Sequence, residues 1–166
     1  GSVMLISQLA GLATVGSVLD FGSGCGLISA CFGSMAPDAH FTMTDVDALA
    51  VLSSSETMAA NGLAATVSAG DGLDSIDQRF DLVLSNPPFH QGGRTDMEFG
   101  MKLLHDVRNF LNPRGQFIMV ANRHLPYRQW LDRIFGSHRV LASNNQFQVL
   151  IAVQSAWPGS TRNTQD

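Results

Sequence analysis

The sequence predicts an α/β fold: a three-layer sandwich around a seven-stranded, mostly parallel sheet with one antiparallel strand. Short apolar runs alternate with longer segments whose apolar residues recur at helical spacing. Strands that alternate with helices in this way form a parallel sheet with helices on both faces. The last two apolar runs, 138–142 and 147–153, are joined by a link short enough for a hairpin, which makes one strand antiparallel.

The apolar runs and their flanking turn residues define the elements. Strands are predicted at 17–21, 40–44, 65–68, 80–85, 116–121, 138–142 and 147–153. Helices are predicted at 3–13, 27–35, 48–60, 95–111 and 127–135. Asp47 and Thr95 are the expected N-caps of two of these helices, and 112–115 is an expected turn.

Length and charge limit the function. A chain of 166 residues suggests one domain with a substantial core. Only 14% of the residues are charged, against about 25% in average proteins, and the net charge is −4. Because no block of lysine or arginine is present, the chain lacks the broad positive surface typical of nucleic-acid binding. Any RNA substrate would need affinity supplied from elsewhere.

The chain divides into three parts. Residues 17–155 are expected to form the domain. Residues 1–16 contain a short helix after Gly1-Ser2, a pair that resembles a cloning remnant, and the polar residues 156–166 are expected to be a disordered tail. No apolar run reaches the ~20 residues of a membrane span, so no membrane partner is expected.

Cysteine and histidine usage favours a cytoplasmic protein without a metal. Cys25 and Cys31 are expected to be reduced. The five histidines have no ligand spacing with these cysteines, so no metal site is expected.

Unusual polar residues follow the strands at their carboxyl ends. In an open α/β sheet, ligands bind beyond these ends. The residues concerned are Asp20 to Gly26, Asp45, Asp71, Asn86 and Asn122. Their shared location is the strongest physical indication of a binding site in the sequence.

The glycine-rich turn has the pattern Asp20-x-Gly22-x-Gly24-x-Gly26. Its spacing differs from the Gly-x-Gly-x-x-Gly of pyrophosphate-binding turns. An acid directly before the glycines repels phosphate and suits an ammonium group. Asp45 is placed to accept hydrogen bonds from a ribose diol, and Asp71 to meet an adenine amino group. An amino acid, a ribose and an adenine together predict S-adenosylmethionine as the cofactor.

A rigid loop, Ser85-Asn86-Pro87-Pro88-Phe89-His90, follows the fourth strand. Its two prolines fix φ near −65° and restrict the residues before them. The loop can therefore hold the Asn86 side chain and the carbonyl of Pro87 in one geometry, beside the flat ring of Phe89. These two hydrogen-bond acceptors and the aromatic ring suit the binding of a planar group that carries an NH2.

Together the glycine turn, Asp45 and the Asn-Pro-Pro-Phe loop resemble those of class I S-adenosylmethionine-dependent methyltransferases that modify nitrogen. The longer strings 86–92 and 120–127 resemble ribosomal RNA guanine-N2 methyltransferases, above all the small-subunit (16S) family. The large-subunit enzymes are a sister family with the same loop. The sequence of residues 143–150 resembles this sister family somewhat more. The resemblance covers about residues 17–153 and implies a Rossmann-like methyltransferase fold.

The resemblance implies methyl transfer to the exocyclic N2 of a guanine in 16S ribosomal RNA, either naked or in a small-subunit particle. It also implies a preceding, degenerate domain, so that this chain is the C-terminal half of a longer protein. The expected catalytic residues are Asn86, Pro87 and Phe89. The expected cofactor-binding residues are Asp20, Gly22, Gly24, Gly26, Asp45, Asp71 and Asn86. Pro88, His90 and Asn122 are expected in the substrate pocket.

Several alternatives stay open at this point. The same Asn-Pro-Pro-Phe loop also suits the amino or amide group of a large-subunit rRNA guanine, a protein glutamine or an adenine. A non-catalytic half that binds RNA or supports its partner domain is a function of another class. After the fifth strand, Arg123, His124 and Tyr127 are candidates for the wall of the base pocket, whereas Pro126 and Tyr127 also suit packing at a helix entry.

Overall fold

The structure is a computed structural model that describes residues 1–12, 15–70, 76–87 and 94–156, without the side chains of 94–96. The strands are β1 Ser17–Phe21, β2 His40–Asp45, β3 Ala65–Ala69, β4 Phe80–Ser85, β5 Leu111–Asn122, β6 Arg139–Ser143 and β7 Phe147–Val153. The helices are α1 Ser2–Ile6, α2 Leu27–Met35, α3 Ala48–Ala60, α4 Arg94–Asn109 and α5 Tyr127–Phe135, with a 3₁₀ turn at Ala10–Leu12.

All seven strands form one sheet in the order β3-β2-β1-β4-β5-β7-β6. Strands β1 to β5 pair in parallel, whereas β7 runs antiparallel to both β5 and β6. The central strands are apolar and buried on both faces, as expected for parallel strands covered by helices. The predicted seven-stranded sheet with one antiparallel strand is confirmed.

Helices cover both faces of the sheet and create two cores. On one face, residues of α4 and α5 such as Leu104 and Leu131 pack against Phe117 of β5. On the other face, Leu5 of α1, Phe32 of α2 and Met58 of α3 belong to the second core. The three-layer arrangement is therefore confirmed as well.

The N-terminal helix is shorter than the predicted 3–13, because α1 ends at Ile6. After α1 the hydrogen bonds tighten to three-residue spacing. The N–H of Gln8 donates to the carbonyl of Leu5, and the N–H of Leu9 donates to the carbonyl of Ile6. This tightening turns the chain so that Leu5 and Leu9 are both fully buried.

The end of α4 also differs from the prediction of a helix over 95–111. The helix begins at Arg94, which places Thr95 inside its first turn, and it ends at Asn109. The buried Leu111 pairs instead with Phe80, whose N–H donates to the carbonyl of Phe110. The predicted turn 112–115 lies within β5 as an irregularity, where Arg114 has a φ of 64°.

Among the described residues, no helix combines the length and the apolar character needed to span a bilayer. Cys25 and Cys31 are both free thiols.

Candidate functional site

The glycine turn connects β1 to α2 at the carboxyl edge of the sheet. Gly22, Gly24 and Gly26 all have positive φ values of 73°, 55° and 77°, which is why the turn needs glycine. A Cβ atom on Gly22 or Gly24 would meet no described atom within 4 Å. The turn therefore presents bare backbone to open space, as a close-fitting ligand requires.

Gly26 is constrained in a different way. A Cβ atom there would lie 3.0 Å from the Cα of Ser54 on α3. Gly26 thus allows α2 and α3 to approach each other behind the turn, whereas Gly22 and Gly24 leave space in front of it.

Unpartnered oxygens concentrate at this edge of the sheet. Five buried side-chain oxygens of the described residues lack a hydrogen-bond partner. Four of these five follow or end β1, β2 and β4, and they belong to Asp20, Ser23, Thr44 and Asn86. Since native proteins rarely leave buried polar atoms unpaired, this concentration indicates a site that a polar ligand completes.

Asp20 is the most deeply buried of the predicted acids. Its side chain is 0% exposed, and its Oδ2 accepts a hydrogen bond of 2.7 Å from the hydroxyl of Ser29 on α2. Burial raises the pKa of the Asp20 carboxyl to about 6, with a smaller contribution from the nearby charge of Asp45. Its second oxygen has no partner. A cationic group placed beside Asp20 would stabilise the carboxylate, as the sequence predicts for an ammonium.

Asp45 connects the glycine turn to α3. Its Oδ2 accepts from the N–H of Gly24 at 2.8 Å, and its Oδ1 accepts from that of Asp47 at 3.0 Å. Asp47 caps α3 as predicted, accepting from the N–H of Leu49. The Asp45 oxygens keep lone pairs for a ligand, since each carboxylate oxygen can accept two hydrogen bonds. Asp45 therefore shapes the turn as well as facing the site.

The start of the Asn-Pro-Pro loop is fixed to the neighbouring strand. Ser85 is fully buried, and its hydroxyl donates to the carbonyl of Phe21 at 3.0 Å. Ser85 also pairs with Phe21 in the register of β1 and β4. Asn86 therefore leaves the sheet directly beside Gly22, the first residue of the glycine turn.

In the side-chain amide of Asn86, the nitrogen forms a hydrogen bond and the oxygen does not. Its Nδ2 donates to the hydroxyl of Ser2 at 2.9 Å, while its buried Oδ1 has no partner. Gly1 lies against the same amide, since a Cβ atom on Gly1 would lie 3.0 Å from Oδ1. The acceptor that the sequence assigns to the substrate is thus unpaired within the protein, and the first two residues of the chain cover it.

Four predicted site residues lie outside the described residues. They are Asp71 for the cofactor, Phe89 for catalysis, and Pro88 and His90 for the substrate pocket. Their roles remain predictions.

At the end of β5, Asn122 and Tyr127 make contacts within the protein, and the substrate-pocket role expected of Asn122 stays a prediction. Asn122 accepts from the N–H of His124 at 3.0 Å and so stabilises the turn that follows the strand. Tyr127 is buried in the core, where its ring meets that of Trp130 at 5.2 Å and faces Gly100 of α4. Of the two roles left open for Tyr127, helix packing is the observed one.

Sequence reasoning missed Ser29 and Ser85, the two buried serines that hold Asp20 and the loop. Ser29 follows Asp20 by nine residues, in the first turn of α2, where it looks like an ordinary helical serine. A serine that directly follows the apolar residues Leu82 to Leu84 at the end of the strand is the one signal that could have identified Ser85.

Among the described residues, no group of three histidine, cysteine or acidic side chains converges as metal ligands. The described residues at this edge offer hydrogen-bond acceptors and the buried carboxylate of Asp20. Such a site suits a cationic, polar ligand in front of the glycine turn and an amino group beside Asn86.

Known proteins resemble this chain over most of its length. Ribosomal RNA small subunit methyltransferase C of Erwinia tasmaniensis is 44% identical over 93% of the chain, and that of Klebsiella pneumoniae is 43% identical over 90%. The chain spans less than half of these relatives, 45% and 43% of their lengths.

A solved structure of a 16S rRNA methyltransferase is also similar to this chain. The T. thermophilus 16S rRNA N2 G1207 methyltransferase, RsmC, in complex with AdoMet and guanosine, superimposes with a TM-score of 0.79 at 28% identity. The match covers 92% of this chain and 42% of the other. TrmN from Thermus thermophilus shares the fold, with a TM-score of 0.72 at 20% identity. Residues 1–151 match the family described as the methyltransferase small domain, and the chain belongs to that family.

Proposed function

We propose that this chain transfers the methyl group of S-adenosylmethionine to the exocyclic N2 of a guanine in 16S ribosomal RNA. The observation that carries the proposal is the unpartnered Oδ1 of Asn86 beside the open glycine turn, an oxygen that a guanine reaches once Gly1 and Ser2 move away from it. The relatives named for small-subunit rRNA methylation and the neighbour solved with AdoMet and guanosine support it.

The residues of the glycine turn suit the cofactor. When bound, the cofactor supplies a methyl group on a positively charged sulfur. Asp20 would balance the positive charge of its ammonium group, and the backbone of Gly22 and Gly24 would lie close to it. Asp45 accepts from the ribose hydroxyls with the lone pairs that the N–H groups of Gly24 and Asp47 leave free. Asp71 remains the predicted contact of the adenine.

Asn86 and Pro87 orient the acceptor nitrogen. The lone pair of a guanine amino group is delocalised into the ring, so that the group needs orientation more than deprotonation. The Asn86 Oδ1 and the Pro87 carbonyl accept its two N–H bonds and direct the lone pair toward the methyl group. As positive charge develops on the nitrogen, these fixed acceptors stabilise it.

The remaining steps need little from the protein. Phe89 is the predicted stacking partner of the base. The base must first leave its stack in folded RNA, which costs a few kcal/mol. The proton on the methylated nitrogen leaves to water, so the reaction requires no catalytic histidine.

RNA affinity requires a further contribution. The chain has a net charge of −4, and its curated relatives are more than twice as long as the matched region. We therefore propose that a preceding domain of the same protein supplies most of the contact with ribosomal RNA or the small-subunit particle. This substrate places the activity in the cytoplasm.

Product analysis tests the proposal. The chain, and the longer protein proposed above, are incubated with labelled S-adenosylmethionine and with 16S rRNA or small-subunit particles that lack the modification. Nucleoside mass spectrometry should then detect N2-methylguanosine in the small-subunit RNA. Methylated adenosine, methylated large-subunit RNA or methylglutamine would contradict it. Calorimetry that detects no cofactor binding by either protein would favour a non-catalytic scaffold instead.

A further inference from the structure

A basic cavity lies beyond the carboxyl end of β5. Its volume is about 380 Å³. It is lined by Arg123, His124, Leu125, Pro126, Arg128, Gln129 and Gln148. The lining contains two arginines and no acidic residue, although the chain as a whole is acidic. The cavity thus concentrates positive charge that the overall composition does not predict.

Arg128 is held in place by a buried residue. Its Nε donates to the Oε1 of Gln148 at 2.6 Å, and Gln148 is only 2% exposed on β7. None of the described acidic side chains forms a salt bridge with Arg128. Since a guanidinium has five N–H donors, the outer groups of Arg128 stay available in a fixed orientation.

Arg123, which also lines the cavity, is held by the turn between β6 and β7. Its Nη1 donates to the carbonyl of Asn144 at 2.9 Å, and its backbone N–H donates to the carbonyl of Gln146 at 3.0 Å. Both bonds leave the remaining guanidinium donors free. The two arginines therefore offer oriented donors to one cavity.

The cavity lies close to the acceptor site. Ser85 pairs with Met119, so that Asn86 is level with Val120. Asn122, which leads into the cavity, is two residues further along β5, or about 7 Å. A nucleotide adjacent to a base held at Asn86 is within reach of this position.

We propose that this cavity binds a backbone phosphate of the RNA strand that carries the target guanine. The inference rests on the proposed function and adds the group that holds the strand. Arg123 and Arg128 donate to the phosphate oxygens, a pairing for which the planar guanidinium fork is well suited. Gln148 is a positioning residue that acts through Arg128. The N-terminus of α5, which begins at Tyr127 beside the cavity, adds a favourable dipole.

The salt dependence of RNA binding tests this inference without any methyl transfer. A fluorescent, single-stranded oligoribonucleotide with one guanine is titrated with the chain at about 50 and about 200 mM salt. The variants are Arg123→Gln, Arg128→Gln and Arg128→Lys. The matched control is Arg139→Gln, because Arg139 is exposed at the start of β6, at the end of that strand away from the β6–β7 turn, and does not line the cavity.

Each glutamine variant should bind about tenfold more weakly at low salt. The plot of log affinity against log salt has a negative slope. This slope should become shallower by about 0.7 for each arginine–phosphate pair that the substitution removes. Arg128→Lys should keep the slope but lose affinity, because a lysine retains the charge without the fork. Arg139→Gln should change neither quantity appreciably.

Equal slopes for Arg128→Gln and Arg139→Gln would overturn the inference. Its failure is distinguishable from failure of the proposed function. A chain whose binding depends on the two arginines but which methylates no guanine refutes only the function, whereas an active chain indifferent to both substitutions refutes only the phosphate site.

Discussion

The Oδ2 of Asp45 accepts a hydrogen bond of 2.8 Å from the backbone N–H of Gly24. The same carboxylate accepts from Asp47 at the entry to α3. One side chain thus connects the glycine turn, the end of β2 and the next helix. A residue predicted only as a ligand contact also determines the shape of the cofactor site.

Asp45→Asn should weaken S-adenosylmethionine binding by about tenfold or more. An amide has one acceptor where the carboxylate has two, so one backbone N–H loses its charge-assisted partner, at about 1.5–3 kcal/mol. Titration calorimetry measures the effect. Asp47→Ala is the matched control: it removes the cap of α3 and costs about 1 kcal/mol of stability, with unchanged cofactor affinity. Equal losses of affinity in both variants would contradict the role of Asp45.

Alanine at Gly22 and at Gly26 should have different effects. Both positions have positive φ, so either substitution costs about 1–2 kcal/mol in backbone strain. Gly26→Ala also collides with Ser54 and should be the less stable variant by a further 1–3 kcal/mol or so. Gly22→Ala projects a methyl group into open space and should chiefly lower cofactor affinity. Thermal unfolding and calorimetry separate the two, and an unchanged affinity in Gly22→Ala would be the contrary result.

Asp20 should make the folded protein more stable at mildly acidic pH. Because its pKa is raised from 3.8 to about 6, the folded protein holds this proton more tightly than the unfolded chain. The unfolding free energy contributed by Asp20 therefore falls as pH rises from about 4 to about 6, by about 3 kcal/mol in total. Above that range the contribution is constant.

Denaturant unfolding of the wild type and of Asp20→Asn across this pH range isolates the contribution. The difference in unfolding free energy between the two proteins should shift in favour of Asp20→Asn as pH rises. S-adenosylmethionine should bind the wild type more tightly above about pH 6, where the carboxylate is charged. A pH-independent difference between the two proteins would show that Asp20 is not the group responsible.

Ser85→Ala should reduce methyl transfer with only a modest loss of stability. The substitution removes the buried bond to the carbonyl of Phe21 and costs about 1–3 kcal/mol. Because this bond fixes the start of the Asn-Pro-Pro loop, the rate should fall more than cofactor affinity. Ser34→Ala removes an exposed serine hydroxyl and serves as control. Full activity in Ser85→Ala would show that the loop is held by other contacts.

The sequence predicts the sheet and the position of the site because both follow from local patterns. Alternating runs determine the parallel strands, and the carboxyl ends of those strands bring Asp20, Asp45 and Asn86 together. Individual hydrogen bonds are not predictable in this way. The bond between Arg128 and Gln148 depends on how α5 packs against β7, and the contact of Ser2 with Asn86 joins residues 84 apart in sequence.

Helix ends were the other source of error, and each has a local cause. The predicted helix 3–13 ends early because the hydrogen bonds after Ile6 tighten to three-residue spacing. The predicted helix 95–111 loses its last residues because Leu111 pairs with Phe80 of β4. Neither the tighter hydrogen bonds after Ile6 nor the pairing of Leu111 has a signature in the sequence periodicity.

The central claim is that the Asn86 oxygen orients the guanine amino group, and the methyl-transfer rate of Asn86→Ala tests it most directly. The assay follows N2-methylguanosine formation in 16S rRNA, with Asn109→Ala, an exposed asparagine at the end of α4, as control. The account predicts a loss of about a hundredfold or more for Asn86→Ala, as for removal of one preorganised group, and an unchanged rate for Asn109→Ala. A rate for Asn86→Ala equal to that of the wild type would contradict it.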